Sequence, residues 1–279
     1  AEYYLDNVDV GGVHAARGTS LYFLASIING KAANFVFQHI SKPFRGGFRS
    51  ANKQFISPIP VPRGTDRDQD ILEGNSVQLQ RLYSERRDIL FDIHRRLGSI
   101  RVRRRPDNWL FPNLPTFDEL AEYAPKHIVG IDRREWARRR LAHELRSRHA
   151  SLEDHLILGA TLSAELYRGE LRFFVDGVPV ITGIFLPLET ASFVLAQWRV
   201  LAGRLEVTGR LTGKKLADEL RRVSVSADPH LMAEVVGREQ EISAIDAEIA
   251  RLEARVNETI YRLHNLTPDE IAVIEAATR

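Results

Sequence analysis

A basic segment near the N-terminus contains the side chains whose types and spacing are best suited to chemistry. In "SKPFRGGFRSANKQFISPIP", residues 41–60, four cations fall within twelve residues and no acid lies among them. Cations neutralise phosphates, and Gly46-Gly47 permits close approach of the backbone to a phosphate. Two further residues have amides that can pair with adenine. We therefore predict a nucleic-acid contact formed by Lys42, Arg45, Arg49, Asn52, Lys53 and Gln54.

The same segment has a second interpretation, in which Phe44, Phe48 and Phe55 pack into the core and the cations are only solvated. Both interpretations hold together if the aromatic rings point inward and the cations outward. Pro58 and Pro60 fix the exit from the segment, which limits the entropy lost when it binds a partner.

Two further arginine clusters follow. "RVRRR" precedes Pro106 in a predicted linker and adds four candidate DNA contacts, or else a solvated charge run: Arg101, Arg103, Arg104 and Arg105. A predicted helix over residues 133–148 is also rich in arginine, but Ala137, Leu141 and Leu145 claim one side of it for burial. On that helix we expect Arg139 to pair with Glu135 and Arg148 with Glu144.

The sequence lacks the motifs of several kinds of catalysis. With no cysteine, the chain has no disulfide, thiolate metal site or cysteine nucleophile. It also has no Asn/Asp-Pro-Pro-Tyr/Phe motif, no glycine-rich turn for S-adenosylmethionine, no nuclease constellation and no P-loop. His143, His149 and His155 are six residues apart and do not share a helical face. We therefore predict no catalytic residue, no metal site and no cofactor in this chain.

Composition and charge set the broad class. The chain has 279 residues, 44% of them apolar and 27% charged, with a formal net charge of +2, which predicts a folded, soluble protein. We find no membrane span or signal peptide and expect no membrane partner and a cytoplasmic location. Because the chain starts without methionine and amid strand-like residues, we expect a fragment with a further segment upstream.

The elements that position these residues follow from hydrophobic patterning. We predict a strand over Tyr3–Val13 and a deeply buried helix over Leu21–Ile40, capped at Thr19-Ser20 and bent or broken at Asn29-Gly30. "PIPVPRG" disfavours helix until about Asp66.

The remainder of the chain alternates long helices with a mixed module. A long amphipathic helix is predicted over Arg67–Leu97, and a hairpin turning at Asp176-Gly177 inside the module. The last long helix, Leu231–Leu263, follows a 3.5-residue repeat, and a left-handed turn at Asn265 leads to a capping box at Thr267.

These elements predict an α+β fold, in which a mixed α/β module is framed by two long helices packed as an antiparallel coiled-coil-like pair. The alternative is two amphipathic helices packed on separate cores. The predicted divisions are residues 1–66 with the basic segment, 67–100 as a long helix, 101–225 as the mixed module, and 226–279 as the last long helix, turn and short final helix.

Two separate segments resemble a known family. "VNETIYRLHNLTPDEIAVIE", Val256–Glu275, resembles the helix, "LVYxLYGLTxxE" turn and final helix that close many bacterial DNA methyltransferase and restriction fusion proteins. "YFLASIINGKAANFVFQHISKPFRGGFRSANKQFISPIPVP" is similar to a segment of their TaqI-like C-terminal specificity domain. The resemblance covers roughly residues 20–62 and 235–275. It departs at His264-Asn265, where the family prefers Tyr-Gly, and at Asn29-Gly30, where the family has Asn-Ser.

The resemblance implies the target-recognition region of a type IIG restriction-modification enzyme, a related adenine-specific DNA methyltransferase or a phage-defence methylase. Its implied partners are double-stranded DNA and a methyltransferase or nuclease domain, upstream in cis or on a partner subunit. S-adenosylmethionine would bind only that catalytic domain. A different class stays open, namely a coiled-coil scaffold that assembles subunits without contacting DNA.

Overall fold

The structure is a computed structural model that describes residues 19–42, 49, 52–127 and 130–278. It is an α+β fold of helices and small antiparallel sheets. Its contacts divide the chain into two compact units, the first made of Ala1–Asp88 with Ile242–Arg279 and the second of Ile89–Glu241. The strand predicted over Tyr3–Val13 lies outside the described residues.

The helices and strands come in the following order along the chain. They are α1 Leu21–Asn29, α2 Lys31–Ile40, α3 Lys53–Ile56, α4 Asp66–Gly98, β1 Val102–Arg104, α5 Asp107–Leu110, α6 Phe117–Glu122, α7 Arg133–Glu153, β2 Leu162–Tyr167, β3 Glu170–Val175, β4 Val178–Phe185, α8 Leu188–Arg204, α9 Gly213–Leu220, β5 Arg222–Ser224, α10 Pro229–Leu263 and α11 Pro268–Ala277. The divisions between the units fall inside α4 and α10, so each of these long helices contributes to both units.

Two short helices in the first unit meet at Gly30. The Ser20 hydroxyl accepts a hydrogen bond from the Phe23 backbone N–H at 3.3 Å and caps α1, as predicted. Gly30 is extended (φ −70°, ψ 156°) and separates α1 from α2, which confirms the predicted break. A Cβ built at Gly30 would lie 2.5 Å from Ile260 Cδ1 on α10, so the glycine allows this close approach.

The core of the first unit joins α1 and α2 to the nearest parts of α4, α10 and α11. Its buried side chains are Phe23, Ile27, Ala32, Leu72, Val256, Ile260, Tyr261 and Ile274. The prediction that the whole 21–40 region is deeply buried is wrong at its ends. Leu21, Tyr22 and Ile40 are exposed, because only one side of each helix faces this core.

A tight turn in the first unit connects α10 to α11. Asn265 adopts the left-handed conformation (φ 52°), and the Leu266 N–H donates to the Tyr261 carbonyl at 3.1 Å. The Thr267 hydroxyl and the Glu270 carboxylate then form the predicted capping box at the start of α11. The left-handed conformation of Asn265 allows this hydrogen bond to one of the last carbonyls of α10 and turns the chain toward α11.

The second unit is built on a three-stranded antiparallel sheet in the order β2-β3-β4. The predicted hairpin is confirmed, with Asp176 (φ 47°) and Gly177 (φ 75°) both left-handed between β3 and β4. α8 packs on this sheet, where Trp198 meets Phe173 edge to face at 5.8 Å. The Trp198 indole N–H donates to the Leu220 carbonyl at 3.0 Å, so its one polar atom is satisfied inside the core.

The prediction of a linker around "RVRRR" is wrong, because these residues belong to a second, smaller sheet. Residues 102–104 form β1, which pairs antiparallel with β5 so that Arg103 lies opposite Val223 and Arg104 opposite Arg222. The distant segment 222–224 supplies the partner strand, and no local signal in "RVRRR" indicates that pairing.

Within the described residues no helix is both long and apolar enough to cross a membrane.

Candidate nucleic-acid interface

A short helix, α3, contains two of the predicted contact residues in the first unit, and its N-cap residue is a third. Asn52, Lys53 and Gln54 are exposed, whereas Phe55 is half-buried and Ile59 is buried. The Asn52 backbone carbonyl accepts the Phe55 N–H at 2.8 Å and so closes the turn. Since its apolar residues turn toward the protein, the segment presents its polar side chains to solvent.

Within the described residues, no hydrogen bond engages the Asn52 side chain. Asn52 is the N-cap residue of α3, with extended backbone angles (φ −67°, ψ 157°), but its side chain makes no capping hydrogen bond. An asparagine amide has a donor and an acceptor side by side, the pair that adenine complements in the major groove. The backbone of α3 is therefore ordered without using the amide that would have to recognise a base.

Arg49, the one described residue between 43 and 51, has a contact within the protein. The Arg49 guanidinium donates to the Ser41 carbonyl through Nη1 at 3.0 Å, which brings residue 49 next to the exposed Lys42. Arg49 thus has a contact within the protein as well as a charge toward solvent, so it is not only a solvated cation. Arg45, Phe44, Phe48 and Gly46-Gly47 lie outside the described residues.

The four arginines of "RVRRR", in the second unit, differ in their exposure and in their partners. Arg101 and Arg103 are exposed and have no acidic partner within the described ranges. Arg104 forms an ion pair with Asp218 of α9. Two of the four side chains therefore remain available for a phosphate, and Arg104 is engaged within the unit.

Arg105 is placed differently from its neighbours. It is half-buried, with its Cζ 5.5 Å from the centre of the Trp109 ring. Burial, and secondarily the charge of Arg103, lower the pKa of Arg105 from its ordinary value. Its buried Nε has no hydrogen-bond partner in the described structure. The Arg105 side chain is held against this ring, and no carboxylate within the described ranges forms an ion pair with it.

Sequence reasoning missed two arginines that complete this cluster. Arg221 pairs with Asp107 and donates through Nε to the Arg105 carbonyl at 2.9 Å, so it joins the two strands. Arg222 lies opposite Arg104 across the small sheet and pairs with Glu219. The Arg221-Arg222 doublet in "ELRRVSV" was the available signal, but only the strand pairing places it beside residues 101–105.

The arginine-rich helix α7 uses many of its cations within the second unit. The predicted pair of Arg139 with Glu135 is confirmed, at 2.8 Å, whereas the predicted pair of Arg148 with Glu144 is wrong. Glu144 pairs with Arg140 at 2.6 Å instead, four residues in the other direction. Arg133 donates to the carbonyls of Glu122 and Ala124, which places it at the end of α6.

The histidines of α7 and the residues after it lie in different surroundings. Burial lowers the pKa of His149, which packs on Phe111 with ring centres 6.2 Å apart. The His155 ring nitrogen Nδ1 lies 2.9 Å from the Ser151 carbonyl. Across the described part of the chain, no three histidine, aspartate or glutamate side chains gather as a metal-ligand set.

Comparisons with family models, with curated proteins and with solved structures find no match to this chain.

Proposed function

We propose that this chain recognises a specific double-stranded DNA sequence for a restriction-modification or phage-defence methyltransferase. The methyltransferase domain, with its S-adenosylmethionine, would lie upstream or on a partner subunit, and the complex would act in the cytoplasm. The observation that carries the proposal is the exposed polar side of residues 52–54, where Asn52 makes no capping bond. Lys42 and Lys53 supply phosphate contacts beside these amides.

The test is duplex binding measured by fluorescence anisotropy over a range of salt concentrations. Replacing Lys42 and Lys53 together by alanine removes two exposed cations. We expect weaker binding and a salt slope that is flatter by roughly two units, since each phosphate contact contributes about 0.9. The matched control is Arg67→Ala with Arg81→Ala, which removes the same charge from exposed positions of α4. If both double variants behave alike at every salt concentration, the α3 region does not contact DNA.

We further propose that α4 and α10 pack as an antiparallel coiled-coil-like pair. In the first unit the Arg86 Nε lies 2.5 Å from an Asp246 carboxylate oxygen. In the second unit Arg238 lies 3.5 Å from Asp92. Between these two ion pairs the α10 partner falls from residue 246 to residue 238 as the α4 residue rises from 86 to 92, which is the order that an antiparallel pair requires.

A second candidate function is the subunit scaffold, favoured by an apolar groove in the first unit. The groove has a volume of about 430 Å³ between α2 and α11 and is lined by Ala33, Phe35, Val36 and Val273 among others. Val273 is 57% exposed, and apolar grooves of this kind fit the apolar side of another chain. A scaffold would assemble equally well with and without duplex DNA in light scattering, whereas a DNA module would show salt-dependent duplex binding.

A further inference from the structure

A second cavity in the first unit lies away from α3 and has a different chemical character. It has a volume of about 810 Å³ and is formed by α1, α4 and α10. This size falls in the range of small-molecule sites, which combine apolar walls with a few placed polar groups. None of the basic residues considered above lines it.

The inner wall holds two polar side chains that are more than nine-tenths buried. Ser26 is 4% exposed and Asn257 is 8% exposed. The Ser26 hydroxyl donates to the Leu72 carbonyl at 3.0 Å and lies 2.5 Å from the Ser76 hydroxyl. Asn257 Oδ1 accepts the Lys31 backbone N–H at 2.9 Å, and its Nδ2 has no partner within the described residues. The Asn257 Nδ2 donor is therefore available to a ligand in the cavity.

The mouth of the cavity carries aromatic rings and a free amide. Tyr22 is 39% exposed and Tyr83 is 49% exposed, and both line the opening. Gln80 also lines the cavity, is exposed and has no hydrogen-bond partner in the described chain. Phenol rings provide faces on which a flat heterocycle stacks.

Two charged side chains lie on the cavity wall. Lys31 forms an ion pair with Glu275, whereas Glu253 accepts only the Tyr83 hydroxyl, at 2.6 Å, and a neutral hydroxyl does not offset a carboxylate charge. The other polar groups on the wall are neutral amides and hydroxyls. A wall with one carboxylate among neutral donors and acceptors disfavours a phosphate and suits an uncharged ligand that offers adjacent donors and acceptors.

We propose that this cavity binds an adenine base, stacked on Tyr83 and held at its edge by the Gln80 amide. An amide pairs in two places with adenine through N6–H and a ring nitrogen. The base could belong to a free nucleoside or be an adenine turned out of a DNA strand. The site does not depend on the DNA contact proposed for α3, because a free nucleoside would also occupy it.

Saturation-transfer NMR with adenosine and the full chain tests the site. We expect saturable binding that Gln80→Ala weakens about tenfold and Tyr83→Leu weakens to a similar extent, the scale of one base stacking contact. Tyr83→Phe keeps the ring and loses only the bond to Glu253, so its affinity should stay within about twofold of the parent. The control Gln240→Ala removes another exposed glutamine, on α10 in the second unit, and should leave adenosine binding unchanged.

Competition separates the two sources of the base. A duplex with one bulged adenine should displace adenosine if the site takes a base from DNA, because an unpaired base costs little to extrude. Failure of that duplex to compete, with adenosine still bound, assigns the site to free nucleosides. Absence of saturable adenosine binding, or binding that neither Gln80→Ala nor Tyr83→Leu weakens, overturns the proposal. Thermal melting of each variant shows whether a loss of binding reflects a loss of fold.

Discussion

Individual side chains in this protein separate into those that hold the fold and those left for a partner. Arg104 forms an ion pair with Asp218, and Arg221 forms one with Asp107. Arg101 and Arg103 look the same in the sequence, but neither meets an acid in the described chain. Arg221 is buried, at 8% exposed, whereas Arg101 and Arg103 are exposed, so burial and the nearest acid distinguish these roles and composition does not.

Asn52 and Gln54 test base recognition apart from phosphate binding. Replacing either by alanine should change the preferred DNA sequence, at about 1–3 kcal/mol for each two-point base contact that is lost. Binding to non-specific duplex should stay the same, because neither amide is charged. Selection from a pool of random duplexes measures the preference. An unchanged preference in both variants would show that these amides do not reach a base.

Asp68 makes folding stability depend on acid. Hydrogen bonds from Arg262 at 2.6 Å and then from the Thr65 hydroxyl at 2.7 Å lower the pKa of Asp68 to about 2, from an ordinary value of 3.8. A lowered carboxyl pKa in the folded state adds stability that is present above pH 3.8 and is lost as the pH falls toward 2. Thermal melting of Asp68→Asn should therefore depend less on pH across that window than the parent. Asp70→Asn, at an exposed position on the same helix, should retain the parent's dependence.

Among the elements, the junction of α1 and α2 depends on a residue without a side chain. Gly30→Ala would place a Cβ 2.5 Å from the Ile260 Cδ1 methyl and 3.3 Å from the Ser26 carbonyl oxygen, and Ile260 is fully buried. We expect a loss of about 1–3 kcal/mol in the free energy of unfolding, as for other overpacked cores. Gly74→Ala is the control, because its Cβ would meet nothing within 4 Å and alanine favours the helix interior by about 1 kcal/mol. Denaturant titration of both variants should give shifts of opposite sign.

The elements that the sequence predicted correctly are those with local causes. The Asp176-Gly177 turn, the Thr267 capping box and the left-handed Asn265 depend on residues within a few positions of each other. Pairing of β1 with β5 joins segments more than a hundred residues apart, and no local pattern reports it. The candidate cavity was missed for the same reason, since Tyr83 and Asn257 lie far apart in the sequence and each alone resembles an ordinary helix residue.

At the scale of the whole molecule, the predicted pairing of α4 with α10 can be tested by cross-linking. The chain has no cysteine, so introduced thiols react without background. Arg86→Cys with Asp246→Cys replaces two side chains that contact each other, 2.5 Å apart at their polar atoms. We expect a short bismaleimide to link this pair within one chain. The link should form quickly because both thiols lie on the facing sides of their helices.

The control for this experiment moves one thiol around the helix. Arg87→Cys with Asp246→Cys shifts the first cysteine by one residue, about 100° around α4, where Arg87 pairs with its neighbour Asp88 and is exposed. If the helices pack as an antiparallel pair, residue 86 cross-links much faster than residue 87, and Asp92→Cys with Arg238→Cys links at a comparable rate. Equal rates for residues 86 and 87 would mean that the two helices do not hold one register, and the alternative of two helices on separate cores would then account for their apolar stripes.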